Sequence, residues 1–335
     1  MKRFYAAAAF FCITLPALAD VTVSFPQSGA ELMSPFTVQA SALTCKSQPL
    51  TSMAYSMDSG RDTLVKSTSI SVQIGAGAGV HNLHIKAWGN QGAECFETVP
   101  ITVLDSLPTL PANVAANASI QSMTNWVGEH DAVTGGTSSG VTTLLTGASQ
   151  VNGPRRQFTF QYASNGGHRF HVSFPGNASA THFVYDTYLM IHSDCGSTNC
   201  GNLANIEMDM NQVLADRDVI IYGVQCDGWS GTWDYTVISS GRSTWKHANA
   251  GCDPHQWTRD VWHHVQLAYS RDDAGNVTYE SVSLDGQTTP LSGATGPSRF
   301  ALNWGPVLLT NLQMDGQGSS GAQTMEMANT TVYAW

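Results

Sequence analysis

Apolar and polar residues alternate with a period of two along most of this chain, the pattern of half-buried antiparallel strands. Val21-Thr22-Val23-Ser24-Phe25 alternates in this way, Pro35-Phe36-Thr37-Val38-Gln39-Ala40 repeats it, and similar runs begin at Met53, Ser69, His81 and Thr98. About seven short strands at such spacing predict a β-sandwich over residues 20–104. Residues 105–119 are rich in Pro, Ala and Asn and almost uncharged, which predicts a semi-extended linker. From residue 120 the strands become longer and more aromatic. They are expected at 157–162, 168–174, 181–192, 205–211, 218–225, 233–238, 260–270, 276–284 and 324–334, with turns at Asp272-Asp273 and Asp285-Gly286. No long stretch has a helical period, so the expected fold is all-β, with a second sandwich of two stacked sheets over residues 120–335.

The first residues set the compartment. Met1-Lys2-Arg3 is a positive head, residues 4–15 are an apolar run, and Pro16-Ala17-Leu18-Ala19 ends in a small-x-small pattern. That order predicts a secretion signal over residues 1–19, cleaved after Ala19. An apolar run of about a dozen residues is shorter than the about 20 needed to span a bilayer, so no stable membrane insertion is expected. The mature protein is therefore expected to be secreted, extracellular or periplasmic. Of seven cysteines, Cys12 lies in the leader. The remaining six are local in sequence: Cys45 with Cys95, Cys195 with Cys200, and Cys226 with Cys252. In an oxidising compartment they predict three disulfides, and the absence of any Cys-x-x-Cys argues against a thiolate metal site.

Charge narrows the partners. Charged residues make up only 12% of the chain, and the formal charge of -10 becomes -12 once Lys2 and Arg3 leave. Nucleic acid, a polyanion, is thereby excluded as an electrostatic partner, whereas neutral or cationic ligands are favoured.

Two family resemblances refine the fold. Pro26-x-x-Gly29 after the first strand, and a later strand led in by Gly79-Val80 and carrying Leu83, Ile85, Ala87 and Trp88, resemble bacterial immunoglobulin-like domains appended to secreted enzymes and adhesins. This implies a spacer or display module. Val261-Trp262-His263-His264-Val265-Gln266-Leu267, the Asp272-Asp273 turn, Val277 and Tyr279, and Leu284-Asp285-Gly286 resemble the Trp-His-x-Val hairpin of concanavalin A-like lectin/glucanase domains. That implies a jelly-roll sandwich, a fold shared by lectins, carbohydrate-binding modules, hydrolases and lyases.

The segment Ile206-Glu207-Met208-Asp209-Met210-Asn211-Gln212 carries the candidate chemistry. On a strand Glu207, Asp209 and Asn211 project together while the apolar residues face the other way. The pattern resembles the Glu-x-Asp-x-Glu or Glu-x-Asp-x-x-Glu strand of retaining glucanases, which implies a nucleophile role for Glu207 and a supporting role for Asp209. The third carboxylate of that pattern is absent, because Asn211 and Gln212 are amides that cannot act as general acids; both are instead candidate sugar-binding residues. A second carboxyl must then come from another strand, with Asp186, Asp216, Asp218, Asp227 and Asp234 as candidates.

Aromatic residues crowd the following stretch. Trp229, Trp233, Tyr235, Trp245 and Trp257 are candidate stacking platforms for sugar rings, whereas Trp262 reads as packing. The histidines show no metal-ligand spacing, and no cofactor is required. Acidic loops at Asp194, Asp216-Arg217-Asp218 and Asp272-Asp273 offer hard oxygen ligands suited to a structural calcium ion. Together these features favour a secreted, polysaccharide-degrading glycoside hydrolase acting through Glu207. A non-catalytic lectin-like module on an immunoglobulin-like stalk, or a surface adhesion protein, is the alternative.

Overall fold

The computed structural model describes residues 21–335 except 33, 35, 78, 104–109, 113, 148–150, 152 and 302. The expected signal segment and the start of the expected linker lie outside the described residues. The protein is all-β, broken among the described residues only by two short 3-10 turns at Ile120–Ser122 and Pro254–Gln256.

Residues 21–103 form one sandwich. A three-stranded sheet of Thr22–Phe25, Phe36–Ser41 and Ser69–Ile74 faces a six-stranded sheet centred on Gln48–Met57, Gly79–Gly89 and Glu94–Val103. Its core is drawn from alternate positions, among them Val38, Met53, Leu83, Ile85 and Val99, as period-two patterning requires. Cys45–Cys95 staples it.

The second sandwich is larger. Its back sheet runs in the order Thr137–Leu145, Arg155–Ala163, Ser320–Ala334, His182–Ile191, His263–Arg271, Asn276–Leu284 and Gln287–Pro290. Its front sheet runs Val127–Asp131, Gly167–Phe174, Val307–Gln317, Asn202–Val213, Val224–Asp227, Thr232–Ser239 and Arg242–Gly251, with Asp218–Tyr222 also paired to Asn202–Val213. One core joins the sheets: Phe158, Phe160, Met325 and Met327 from the back meet Phe170, Met208, Met210 and Leu312 from the front.

Several local features follow the sequence directly. Asp285 and Gly286 both have positive φ, 53° and 78°, as a two-residue type I′ hairpin demands. Asp285 also accepts hydrogen bonds from His263 Nδ1 at 2.7 Å and His264 N at 2.9 Å, tying the hairpin tip to the Trp262-His263-His264 strand. Trp262 is fully buried in a small satellite cluster with Val151, Tyr188 and Ala328. Gly75 reaches it from the first sandwich so closely that a Cβ there would collide with the Trp262 backbone.

Several expectations change, and Val127–Asp131, Thr137–Leu145 and Arg242–Gly251 are strands where none was expected. Ala115–Asn117, assigned to the linker by composition, pairs with residues 332–334 and adds a strand to the back sheet. Val307–Gln317, not anticipated as a strand, is the central neighbour of Asn202–Val213 along its whole length. Gly305-Pro306 before it, Gly316 near its end and a mixed Leu-Thr-Asn-Leu-Gln-Met-Asp interior weaken its local signal, and cross-strand packing decides its state.

All three expected disulfides are present, Cys195–Cys200 and Cys226–Cys252 joining Cys45–Cys95. Loop entropy scales with the closed length, and the bridges span 50, 5 and 26 residues. Replacing Cys226 and Cys252 together by Ser should therefore cost roughly 3 kcal/mol in urea unfolding. Hydrogen exchange should show the loss concentrated in Val224–Asp227 and Thr232–Ser239; uniform loosening of both sandwiches would contradict this.

Candidate functional site

The front sheet curves around a cleft of about 800 Å³, within the range of ligand pockets. Its floor is the outer face of two adjacent strands. On Asn202–Val213 the residues Ile206, Met208 and Met210 are buried in the core. Asn205, Glu207, Asp209 and Asn211 consequently face the cleft. On Val307–Gln317 the same alternation turns Asn311, Gln313 and Asp315 into it. The register sets Glu207 opposite Gln313 on one side and Gln225 on the other, and Asp209 opposite Asn311.

One wall carries Glu129, Asp131, Arg169 and His171, and the opposite wall carries Arg242, Trp245, Phe300 and Trp304. Arg169 is not free: its Nη2 and Nε donate to Glu129 Oε1 at 2.6 and 3.2 Å. Asp209 is wedged beside Gly223, where a Cβ would come within 2.6 Å of Thr236 and 3.0 Å of Asp209 Oδ1. Removal of that side chain is what lets the carboxylate sit between neighbouring strands.

The electrostatics of the floor are unusual. Desolvation in the cleft raises the Glu207 carboxyl well above its ordinary value, and the nearby charges of Asp209, Asp315 and Asp131 push in the same direction. Asp209 is itself pushed up to about 6, chiefly by burial, with hydrogen bonding from Glu207 and the charge of Arg169 pulling back. Asp315 rises to about 6, again mainly from burial, aided by Asp131. Like charges in a dry site cannot all ionise together, so Glu207 and Asp209 share a proton and Glu207 is the group that keeps it.

The structure brings Glu207, Asp209 and Asn211 together on one face, as their spacing predicts. Gln212 departs from expectation. It is fully buried on the opposite face, donating to the carbonyls of Asn177, Ala178 and Ala180 and accepting from Tyr222 and Arg271, and it serves as a structural amide. Of the five aromatic candidates only Trp245 lines the cleft. Trp233 and Trp257 are core residues, Tyr235 packs on Tyr279 with ring centroids 5.1 Å apart, and Trp229, 55% exposed, lies outside the cleft on the Asp227 turn.

None of the five carboxylates expected to assist Glu207 enters the site. Asp186 pairs with His264 at 2.5 Å, Asp216 and Asp218 bind Arg299, Asp227 accepts from the Trp229 and Ser230 amides, and Asp234 pairs with His247 at 3.0 Å. The other carboxyls that line the cleft are Asp315, Asp131 and Glu129 instead. Val307–Gln317 could have revealed one of them, because Asn311, Gln313 and Asp315 recur every second residue just as Glu207 and Asp209 do.

In the acidic loops considered for calcium, carboxylates accept hydrogen bonds within their own turns or from arginine. Asp194 accepts from Gly196 N and Asp272 from Asn276 N, while Asp216 and Asp218 hold Arg299. Among the described residues, Asp227, Asp234 and His247 are the group whose ligand atoms come within 4.8 Å of one another.

No protein-family pattern matches this chain, and no curated protein matches it in sequence. In fold it is similar to a carbohydrate-binding module of the β-sandwich superfamily, at 13% identity over 92% of this chain and 95% of that one, with a TM-score of 0.35. It is also similar to an alginate lyase from Chlorella virus, at 9% identity over 58% and 90% with a TM-score of 0.35. A third is peanut lectin, at 9% identity over 66% and 98% with a TM-score of 0.31. Likeness at this level says nothing of the cleft.

The raised carboxyls make a stability prediction. Their native pKa values lie above those of unfolded carboxylates, so between about pH 4 and pH 6 the native state holds protons that the unfolded chain releases, and stability falls as pH rises through that window. Asp209→Asn removes this penalty. A shift from 3.8 to about 6 corresponds to at most about 3 kcal/mol, so Asp209→Asn should gain on the order of 1–3 kcal/mol in urea unfolding at pH 7 and almost nothing at pH 4. An equal effect at both pH values would rule the charge argument out.

Proposed function

We propose that this protein is a carbohydrate-active hydrolase that takes a polysaccharide chain into the front-sheet cleft and cleaves it with Glu207. The observation that carries this reading is the Glu207–Asp209 pair, a carboxyl kept protonated at the base of a cleft with aromatic side chains on one wall. Sugar rings stack on Trp245 and Trp304, and the amides of Asn211, Asn311, Gln225 and Gln313 offer hydrogen bonds to hydroxyls.

Glycoside hydrolysis needs one carboxyl that gives a proton and one that is ionised. A protonated Glu207 is suited to donate to the leaving oxygen, and Asp209 raises its proton affinity. This differs from the nucleophile role that the family pattern implies, because desolvation and three neighbouring carboxyls disfavour the ionised form. Asp315 supplies the ionised partner. Asn205 lies opposite Asp315, so Glu207 and Asp315 are diagonal cross-strand neighbours, whose Cα atoms are typically about 7–8 Å apart. With Asp315 as base on water the outcome is inversion, which needs the two carboxyl groups themselves about 6.5–9.5 Å apart.

The first sandwich serves as a spacer or display module in this reading. Three disulfides suit an extracellular setting, and no helix among the described residues is long and apolar enough to cross a membrane. A purely lectin-like role is favoured by one observation, the amide at Asn211 where a third acid would stand.

Glu207→Gln separates the two. In a hydrolase, turnover should fall by about 10²–10⁴-fold with little change in glycan affinity. In a lectin-like module there is no turnover, and binding should weaken by about 1.5–3 kcal/mol. The pH profile should be a bell: activity declines as pH falls below about 6, where Asp315 takes up a proton, and declines again at high pH as Glu207 loses its own. NMR of the first-formed anomer should show inversion.

A further inference from the structure

We infer that the substrate of this cleft is an amino-sugar polymer carrying free ammonium groups, which Asp131 receives. This rests on the hydrolase reading and names its substrate class. Asp131, only 8% exposed, is neither the proton donor nor the base of that reading, yet lies in the cleft beside Asp315. A single amide spans the two: Gln313 Nε2 donates to Asp131 Oδ2 at 3.3 Å and to Asp315 Oδ1 at 3.1 Å. The other donor to Asp131 is the Val133 amide at 3.2 Å. Gly167 closes over Asp315 with no side chain, and a Cβ there would collide with its Oδ1.

The positive groups of this end are spoken for. Arg169 is bound by both donors to Glu129, and His171 Nδ1 lies 3.6 Å from the same carboxylate. Among the described residues neither Asp131 nor Asp315 has a salt-bridge partner within 4 Å. Farther along the floor, Oδ1 of Asp209 and Oδ1 of Asn311 have no hydrogen-bond partner, in side chains whose residues are 6% and 7% exposed. This end of the cleft thus presents buried carboxylate and amide oxygens, Asp131 and Asp315 having no salt-bridge partner among the described residues, while the cation Arg242 stands on the opposite wall. Hydroxyls of a neutral sugar supply donors but no charge, a uronate adds repulsion, and an ammonium supplies both.

Titration calorimetry at pH 6 on the full chain carrying Glu207→Gln, which binds without turnover, tests this with three oligosaccharides of equal length: a glucosamine oligomer, its N-acetylated counterpart and a uronate oligomer. The amine form should bind about tenfold or more tighter than the N-acetylated form, with the advantage shrinking as salt is raised. Adding Asp131→Asn should abolish most of that advantage while leaving N-acetylated binding unchanged, and Asp131→Glu should retain it. Equal or tighter binding of the neutral or uronate oligomer, or an advantage untouched by Asp131→Asn, would overturn the amino-sugar assignment and leave the hydrolase reading standing. Failure of all three to bind, with no hydrolysis of any glycan by the unaltered protein, would overturn both.

Discussion

A strand has two faces, and in Asn202–Val213 the demands of one face create the chemistry of the other. Ile206, Met208 and Met210 are drawn into the core shared by the two sheets, where burial of each such side chain is worth roughly 1.5–3 kcal/mol. Glu207 and Asp209 are then held on a common face and cannot swing apart without pulling the methionines out. Their shared burial, and the raised carboxyls that result chiefly from desolvation, are maintained by hydrophobic packing on the reverse of the same backbone. Strain of this kind, borne by the remainder of the fold, is typical of functional sites.

The same division of labour extends across the front sheet. Val307–Gln317 repeats the arrangement, with Leu312 and Met314 in the core and Gln313 and Asp315 in the cleft. Because its antiparallel register with Asn202–Val213 is fixed over eleven pairs, the two strands form one rigid acidic and amide floor. Catalytic groups built on such paired strands are positioned more tightly than groups on loops. The contact of Gly75 with Trp262 falls on the back sheet's side, leaving the cleft open on the front.

Aromatic residues are divided by burial rather than by proximity in sequence. Trp233 and Trp257 lie in the core near the Cys226–Cys252 bridge, which secures the outer strands of the front sheet. Trp245 and Trp304, distant in sequence, both line the cleft. A large indole is among the strongest contributors to a core, and a sandwich edge closed by a short disulfide loop has few other ways to exclude water.

The sequence by itself determined what depends on neighbours two residues apart or on local chain closure. Alternation placed most strands and predicted that Glu207, Asp209 and Asn211 share a face, because the pleat permits no other outcome once the methionines are buried. Asp285-Gly286 specified its turn through positive φ, and the six cysteines after Cys12, spaced locally, paired as their positions suggest. Tertiary structure alone decided which strand lies beside which. Residue 311 is brought opposite 209 across about a hundred residues of chain, so Asp315 and Asp131 joined the site while the five expected carboxylates were drawn into turns and ion pairs. Gln212 illustrates the same limit within a single strand. Its neighbour Asn211 faces the cleft, but parity turns Gln212 inward, where only the folded chain provides the carbonyls of Asn177, Ala178 and Ala180 that make burial of its amide tolerable.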